Sequence, residues 1–515
     1  MKEFSPFFDL SDLNNLNDYS RVGIEKESIR IDERGISKKT HPSSLGSSLC
    51  NKFITTDFSE AQLELVTPPF ENKQQIIECL NDMHHFVSQN IGTEMIWPFS
   101  ISMAIDSEKN IKIAEFGDSN IGKFRHIYRK GLSQRYSKEM QIISGTHFNF
   151  SLPESVFSKS IINKKIQKDQ TNNIKSNIYL GILRNNIRIN WLILYLFGAS
   201  PILNNSLVSD SKPFRSLEKN YSFMEYATSL RMSQYGYKNS KRESFRVSLN
   251  SLEGYTKDLK KASKTKSKDF LLFEDENDVF ANQLNPNILQ IEDEYYAVAR
   301  IKSASKCLKP LSSKLISKGI DFIEFRSLDL DPFSPTGVNL DTIYFLDLYM
   351  WYCFLTESKP ISEDEYDEIE MNEQSVALNG RSPNLKLFEH GKKKHLSSWS
   401  AEIFEGLYKV AEALDSKNSY YTNALNNIVP MIKDPSKTIS ARVIQESYEK
   451  RSSFEELGYE ISLRNKEYYS GLDPKQNPYW DTLEKESNQS HLKQKSLEEQ
   501  NQEPFEEFLE RYFRA

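Results

Sequence analysis

The chain has 515 residues, 38% of them hydrophobic and 27% charged, enough for one large embellished domain or two to three ordinary ones. Its net charge of −6 is mild for that length, so a nucleic-acid surface is not implied. The four cysteines, Cys50, Cys79, Cys307 and Cys353, form no CxxC pair, which excludes a zinc knuckle or disulfide framework and leaves reduced thiols in a cytoplasm as the expectation.

The first residues, MKEFSPFFDLSDLNN, lack the apolar core and small-residue cleavage site of a secretory leader. GIEKESIRI (Gly23–Ile31) then reads as a β-strand that sends Glu25 and Glu27 to one face, about 7 Å apart. In SEAQLELVTPP a second strand is expected over Glu60–Thr67, with Glu60, Gln62 and Glu64 on one side and Leu63 and Leu65 on the other. An amphipathic helix follows over Lys73–Ile91. GDSNIGKF (Gly117–Phe124) spells GxxxxGK, but Phe124 stands where a phosphate-binding loop needs Ser or Thr, so the match reads as chance before a helix in RHIYRKGLSQRY. SGTHFNFSL (Ser144–Leu152) is a third alternating strand, with His147, Asn149 and Ser151 opposing Phe148, Phe150 and Leu152.

A helix is expected from about Asn172 to Phe197, closed by Gly198 and Pro201. Its apolar run Trp191–Ala199 has nine residues, far short of the about 20 that span a bilayer, so no membrane is involved. The fourth strand covers Gly319–Leu330, with Glu324 and Arg326 opposing Ile323 and Phe325. The charged stretches Thr256–Asp269 and Glu357–Gln374, and the polar region after Gly471 with its terminal amphipathic EEFLERYFRA, read as solvated surface.

Strands separated by helices would suit a parallel sheet, but such strands, covered on both faces, read as continuous apolar runs. Each strand here keeps a polar face. The expected class is therefore α+β, an antiparallel sheet backed by helices on one side.

An acidic pair on one strand reads as well as a solvated sheet face. Acids and a histidine recurring on four strands need compensation, because like charges in a concave site force protonation or a counter-ion. Hard oxygen ligands with one histidine suit Mg²⁺ or Mn²⁺, more than one ion, better than zinc. Arg326 beside Glu324 adds a cation of the kind that neutralises a transferring phosphoryl group.

Longer blocks carry a resemblance. GIEKESIRI, FITTDFSEAQLELVTPP, WPFS, YRKGLSQRYSKEMQIISGTHFNFSLP, YLFGASP, ATSLRMSQYGY, LQIEDEYYAVAR and IEFRSLDLDPFSPTGV closely resemble the γ-proteobacterial type of glutamate–cysteine ligase, in family order. The motif-rich core runs over about residues 21–345. The helical remainder, 346–515, matches weakly, best in NGRSP and SARVIQESYEKRSSFEELG. The resemblance implies one catalytic domain over 1–515, a glutamine-synthetase-like curved antiparallel sheet and a funnel-shaped site. It implies ATP-dependent joining of the glutamate γ-carboxylate to the cysteine amine through γ-glutamyl phosphate. A cytoplasmic monomer acting on small molecules is expected.

By position, the resemblance puts Glu25, Glu27, Asp57, Glu64, His147 and Glu324 at the metals, with Glu324 and Arg326 at the reacting phosphoryl group. It puts Arg231 on the glutamate α-carboxylate, and Phe58, Tyr128, Leu132, Gln141, Ile143, Tyr237 and Tyr296 in the substrate pocket around cysteine. Asp57, seven residues before Glu64, shares its face only if a turn or bulge intervenes near Phe58–Ser59. Two other readings stay open: a related ligase with a different acceptor amine, and a non-catalytic metal- or nucleotide-binding regulator. The complete set Glu25, Glu27, Glu64, Glu324 and Arg326 argues against the second.

Overall fold

The structure is a computed structural model that describes residues 10–13, 19–105, 107–163, 171–208, 212–236, 245–273, 280–415, 418–449, 453–500 and 503–515. At its centre lies an eight-stranded sheet whose main path uses β1 (Arg21–Asp32), β2 (Ile54–Thr56), β3 (Gln62–Val66), β4 (Thr146–Ser151), β5 (Ala299–Lys302) and β6 (Phe322–Leu328). Their order is β5-β6-β4-β1-β3-β2 and every pairing is antiparallel. Two two-residue strands, Gly35–Ile36 and Met95–Ile96, pair with the end of β1.

One face of this sheet is apolar and covered. Val22 and Ile24 of β1, Phe148 and Phe150 of β4 and Ile323 and Phe325 of β6 are all buried in one core. Helices α1 (Lys73–Asn90), α2 (Asn120–Arg135), α3 (Thr171–Phe197) and α4 (Leu340–Leu355) surround the sheet, with α3 and α4 supplying most of that core. Leu63, Leu65 and Ile54 bury against Cys79, Met83 and Phe86 of α1. Alternation thus decides which face is dry, and helices on the dry face leave the acids together on the other. Among the described residues, no helix is long and apolar enough to cross a membrane.

Several expectations change. The fourth strand is shorter than Gly319–Leu330, because α-helix Leu311–Lys318 ends at Gly319, whose φ of 79° closes the turn. Glu60 does not share the polar face. It lies in the turn before β3, its carboxylate accepting from the backbone N–H groups of His41 and Glu115. The GxxxxGK segment is no phosphate loop: Gly122 and Lys123 lie in the first turn of α2, and the Ser119 side chain caps that turn by accepting from Gly122 N–H.

The acidic stretch keeps its solvated face, with Glu363, Asp364, Asp367 and Glu370 exposed, but it is helical and bridged by arginines. It forms α5 (Glu363–Asn379), clamped by Arg188 to Glu365 at 2.6 Å and by Arg246 to Asp367 at 2.6 Å. The C-terminal region also docks. In α6 (Phe454–Ser470), Phe454, Leu457 and Ile461 pack on Trp97 and on Ile29 of β1. Trp480 opens α7 (Trp480–Glu499) and stacks edge-on against Phe86 of α1. In α8 (Phe505–Arg514), Phe508, Leu509 and Tyr512 bury against Phe124 of α2.

Candidate functional site

Register brings the acids together. Glu25 lies opposite His147, and Glu27 opposite Glu64. Single ligand atoms of Glu25, Glu64 and His147 all fall within 4.8 Å of one another. His147 Nδ1 is 3.2 Å from Glu25 and 3.7 Å from Glu324, while its Nε2 is 3.5 Å from Glu27. Gly145 N–H and Asn149 Nδ2 donate to Glu27 and Glu25 respectively.

Asp57 joins through a hairpin. Its N–H donates to Gln62 C=O at 3.0 Å across the turn between β2 and β3. Since Thr55 pairs with Glu64, Asp57 continues on that same face. The offset of seven residues is therefore a turn rather than a single strand.

The titration pattern follows from this crowding. Burial raises the Glu64 carboxyl well above its ordinary value, and Glu25, Asp57 and Glu27 push it further. Burial also raises Glu27, against the pull of His147. Burial opposes ionisation of Glu25 as well, but its hydrogen bonds with His147 and Asn149 leave it below the ordinary value. At Glu324 burial is overcome by Lys302, Arg326 and His147, which hold it well below. The cluster is short of positive charge at its β1–β3 side and well supplied at its β5–β6 side.

On β6 the ladder slips between Phe325 and Leu328, so two residues, Arg326 and Ser327, oppose one, His147, on β4. Arg326 sits at this bulge, its Nη1 donating to Glu324 at 3.0 Å. The bulge reverses the alternation: Leu328 turns into the helix-side core, and Asp329 comes round to Arg231. Arg231 is buried, its Nη1 3.6 Å from Asp329 and its Nη2 donating to the Arg326 carbonyl. Asp329 is held in turn by Ala199 N–H, Ser200 and Ser229. Gly145 is required by close approach, because a Cβ there would come within 2.0 Å of the Arg231 guanidinium.

Phe58, Leu132 and Tyr136 form one buried cluster with Tyr128 and Tyr296 against it, and Tyr296 OH donates to Gln141 at 3.0 Å. Ile143 is buried elsewhere, with Ile101, Leu203 and Leu230. Tyr237 lies outside the described residues. Sequence reasoning missed β5, whose Arg300 faces Glu324, and the Arg231-holding Asp329. Period-two alternation in ARIK was the available signal for the first. The second has no local signal, since the bulge decides it.

Comparison with known proteins adds the following. Residues 8–376 match the family model described as glutamate-cysteine ligase. The chain is 36% identical over 503 residues to a glutamate–cysteine ligase of Aliivibrio salmonicida, covering 95% of both. It is 39% identical over 452 residues to one of Wigglesworthia glossinidia brevipalpis, covering 86% of this chain and 88% of the relative. A crystal structure of the Francisella tularensis glutamate–cysteine ligase in complex with AMP superposes with a TM-score of 0.89 at 31% identity, over 97% of this chain and 98% of that one. The fold is also shared with a bifunctional glutathione synthetase of Pasteurella multocida, at a TM-score of 0.73, 23% identity, and 92% and 57% coverage.

Proposed function

The chain belongs to the glutamate–cysteine ligase family, and from that premise we infer that it joins the γ-carboxylate of glutamate to the amine of cysteine, converting ATP to ADP and phosphate. A carboxylate does not acylate an amine in water. Transfer of the ATP γ-phosphoryl group to a γ-carboxylate oxygen gives γ-glutamyl phosphate and ADP. Attack by the cysteine amine at that carbonyl then breaks its C–O bond to phosphate, forms the amide and releases a proton.

The residues fit divalent cations. Glu64 is held well above the ordinary carboxylate range by burial and three acidic neighbours, the state of a site short of cationic charge. Glu25, Glu27, Asp57, Glu64, His147 and Glu324 would hold Mg²⁺ or Mn²⁺, more than one ion, which when bound neutralise phosphate oxygens and align the in-line transfer.

Arg326, at the edge of this cluster, offers its guanidinium to the phosphoryl oxygens as charge builds. Arg231 is held by Asp329 with its guanidinium close against Gly145, a setting suited to a two-pronged grip on the glutamate α-carboxylate. The wall of Phe58, Tyr128, Leu132 and Tyr296, with Gln141 bonded to Tyr296, suits a thiol side chain that has little to hydrogen-bond. None of the four cysteines is joined in a disulfide.

The convergence of Glu25, Glu64 and His147 within 4.8 Å, with Arg326 at its rim, is the observation that carries this reading. The experiment is purified chain with ATP, Mg²⁺ and glutamate, offered a panel of amines, with ADP release and product mass measured. γ-Glutamylcysteine as the favoured product is expected. Preference for another amine would keep the ligase chemistry and overturn the acceptor, and absence of ADP release in every case would overturn the function.

A further inference from the structure

The two site arginines are supported from behind the sheet. In β6, Ser327 follows Arg326 within the bulge and turns into the helix layer, where its hydroxyl donates to Asn190 Oδ1 at 2.7 Å. Asn190 lies on α3 among Ile187, Ile189, Trp191 and Leu194, and all five side chains are buried. Its Nδ2 donates onward to Glu373 of α5 at 2.8 Å. A polar line therefore crosses the apolar layer from the bulge to α5. A hydroxyl, an amide and a carboxylate buried there are costly unless hydrogen-bonded, and those bonds hold the three elements in one arrangement.

The next residue of α5 holds the other arginine. Gln374 Oε1 accepts from Gln234 N–H at 2.9 Å, and its Nε2 donates to Met232 C=O at 3.4 Å, so one amide grips the backbone just beyond Arg231. The backbone just before Arg231 is tied to the end of the same helix. Ala377 C=O accepts from Thr228 and Ser229 N–H, Val376 C=O accepts from the Thr228 hydroxyl, and Arg381 Nε donates to Ala227 C=O. Arg231 thus sits on a short arch with both feet at α5. From that arch its guanidinium reaches the bulge and donates to Arg326 C=O.

Two adjacent side chains of one helix therefore lead to the two arginines, Glu373 through Asn190 and Ser327, Gln374 through the arch. With Arg231 on the glutamate α-carboxylate and Arg326 on the phosphoryl group that moves to the γ-carboxylate, the span between them measures the carbon chain of the amino acid. Aspartate, one methylene shorter, leaves its side-chain carboxylate short of the phosphorus by up to one C–C bond, about 1.5 Å. A misplacement of about 1 Å is enough to cost about a hundredfold in rate.

We propose that Glu373 and Gln374 are positioning residues that set the span between Arg231 and Arg326, and with it the preference for glutamate over aspartate. This rests on the ligase reading above.

The test is the ratio of kcat/KM for glutamate to that for aspartate, with ATP, Mg²⁺ and cysteine saturating. It compares wild type with Glu373→Met, Glu373→Gln, Gln374→Met, Gln374→Glu and Ile369→Ala. The ratio is independent of the fraction of protein that is folded, so a residue that only stabilises the fold does not move it. Methionine keeps the volume and removes the hydrogen bonds. Both methionine variants should lower the ratio about tenfold, mainly through poorer use of glutamate. In Gln374→Met the loss should fall on the KM for glutamate, and in Glu373→Met on kcat.

Glu373→Gln, whose Oε1 still accepts from Asn190, should keep the wild-type ratio. Gln374→Glu accepts from Gln234 but cannot donate to Met232, and should fall between wild type and Gln374→Met. Ile369→Ala, a buried side chain of α5 outside both sets of bonds, should unfold at a lower temperature with the ratio unchanged. If Glu373→Met does not fold, Ser327→Ala breaks the same line at its strand end with less change in volume.

An unchanged ratio in either arm overturns the proposal. So does an equal fall in Ile369→Ala, which would make the effect general loosening, or a loss in Glu373→Gln as large as in Glu373→Met. A wild type that turns over neither amino acid refutes the ligase reading instead.

Discussion

Replacing Glu64 by Gln separates a metal ligand from a structural acid. The ligand atoms of Glu25 and Glu64 lie within 4.8 Å, so two ionised carboxylates there repel by about 3 kcal/mol at an effective dielectric of about 20. His147 beside Glu25 and the nearby Arg129 offset part of this, leaving a relief of about 1–2 kcal/mol when one charge is removed. For 515 residues the unfolding entropy is about 1 kcal/mol/K, so ligand-free Glu64→Gln should melt about 1–2 °C above wild type in chelator.

The sign with pH follows from the raised carboxyl. A carboxyl whose folded value lies above its unfolded value stabilises the fold at low pH and loses that contribution as pH rises through the folded value. The advantage of the variant should therefore be present at neutral pH and vanish as pH falls toward the ordinary carboxylate range. Mg²⁺ should raise the melting temperature of wild type more than that of the variant, and turnover of the variant should fall about a hundredfold or more. Scanning calorimetry with chelator and with Mg²⁺, at neutral and mildly acidic pH, reads all of this. A variant that is less stable in chelator yet keeps the full response to Mg²⁺ would refute the argument.

Arg231→Lys should raise the KM for glutamate much more than that for ATP, because a point charge cannot reproduce a planar grip, and steady-state kinetics with each substrate varied checks it. Asp329→Asn leaves the Arg231 guanidinium without its anionic partner, and should cost about 3 kcal/mol in denaturant unfolding while also raising the KM for glutamate. Arg326→Ala should act mainly on kcat, by about a hundredfold or more, with substrate KM values near wild type; a raised KM for cysteine at unchanged kcat would move Arg326 to the acceptor pocket.

The parts of this molecule that can be read from sequence are those set by local periodicity. β1 and β4 alternate cleanly, so the faces of Glu25, Glu27, His147 and Asn149 follow from counting residues. β6 alternates only as far as the bulge, and nothing in RSLDLDP announces that Arg326 and Asp329 end up near the same guanidinium. β5 is four residues long, short enough to pass for part of a loop, and so its arginine went unnoticed. The amphipathic helix at the C-terminus is legible in EEFLERYFRA, but its docking on Phe124 depends on a partner almost four hundred residues earlier.

The same division explains how the acids can be crowded at all. Repulsion among Glu25, Glu27, Asp57 and Glu64 would splay β1 from β3 if those strands had only each other. Register is held instead from the opposite face. Val22, Ile24, Phe148, Phe150, Ile323 and Phe325 are all 1% exposed or less against α3 and α4. At about 1.5–3 kcal/mol for each buried side chain, six of them contribute roughly 10 kcal/mol or more, several times the repulsion between any one acidic pair. Because a slip of one residue would turn these side chains to the polar face and the acids into the core, the hydrophobic pattern fixes the pairing to the residue. The charge pattern of the site is thus tolerated because the other side of the same strands determines where they lie.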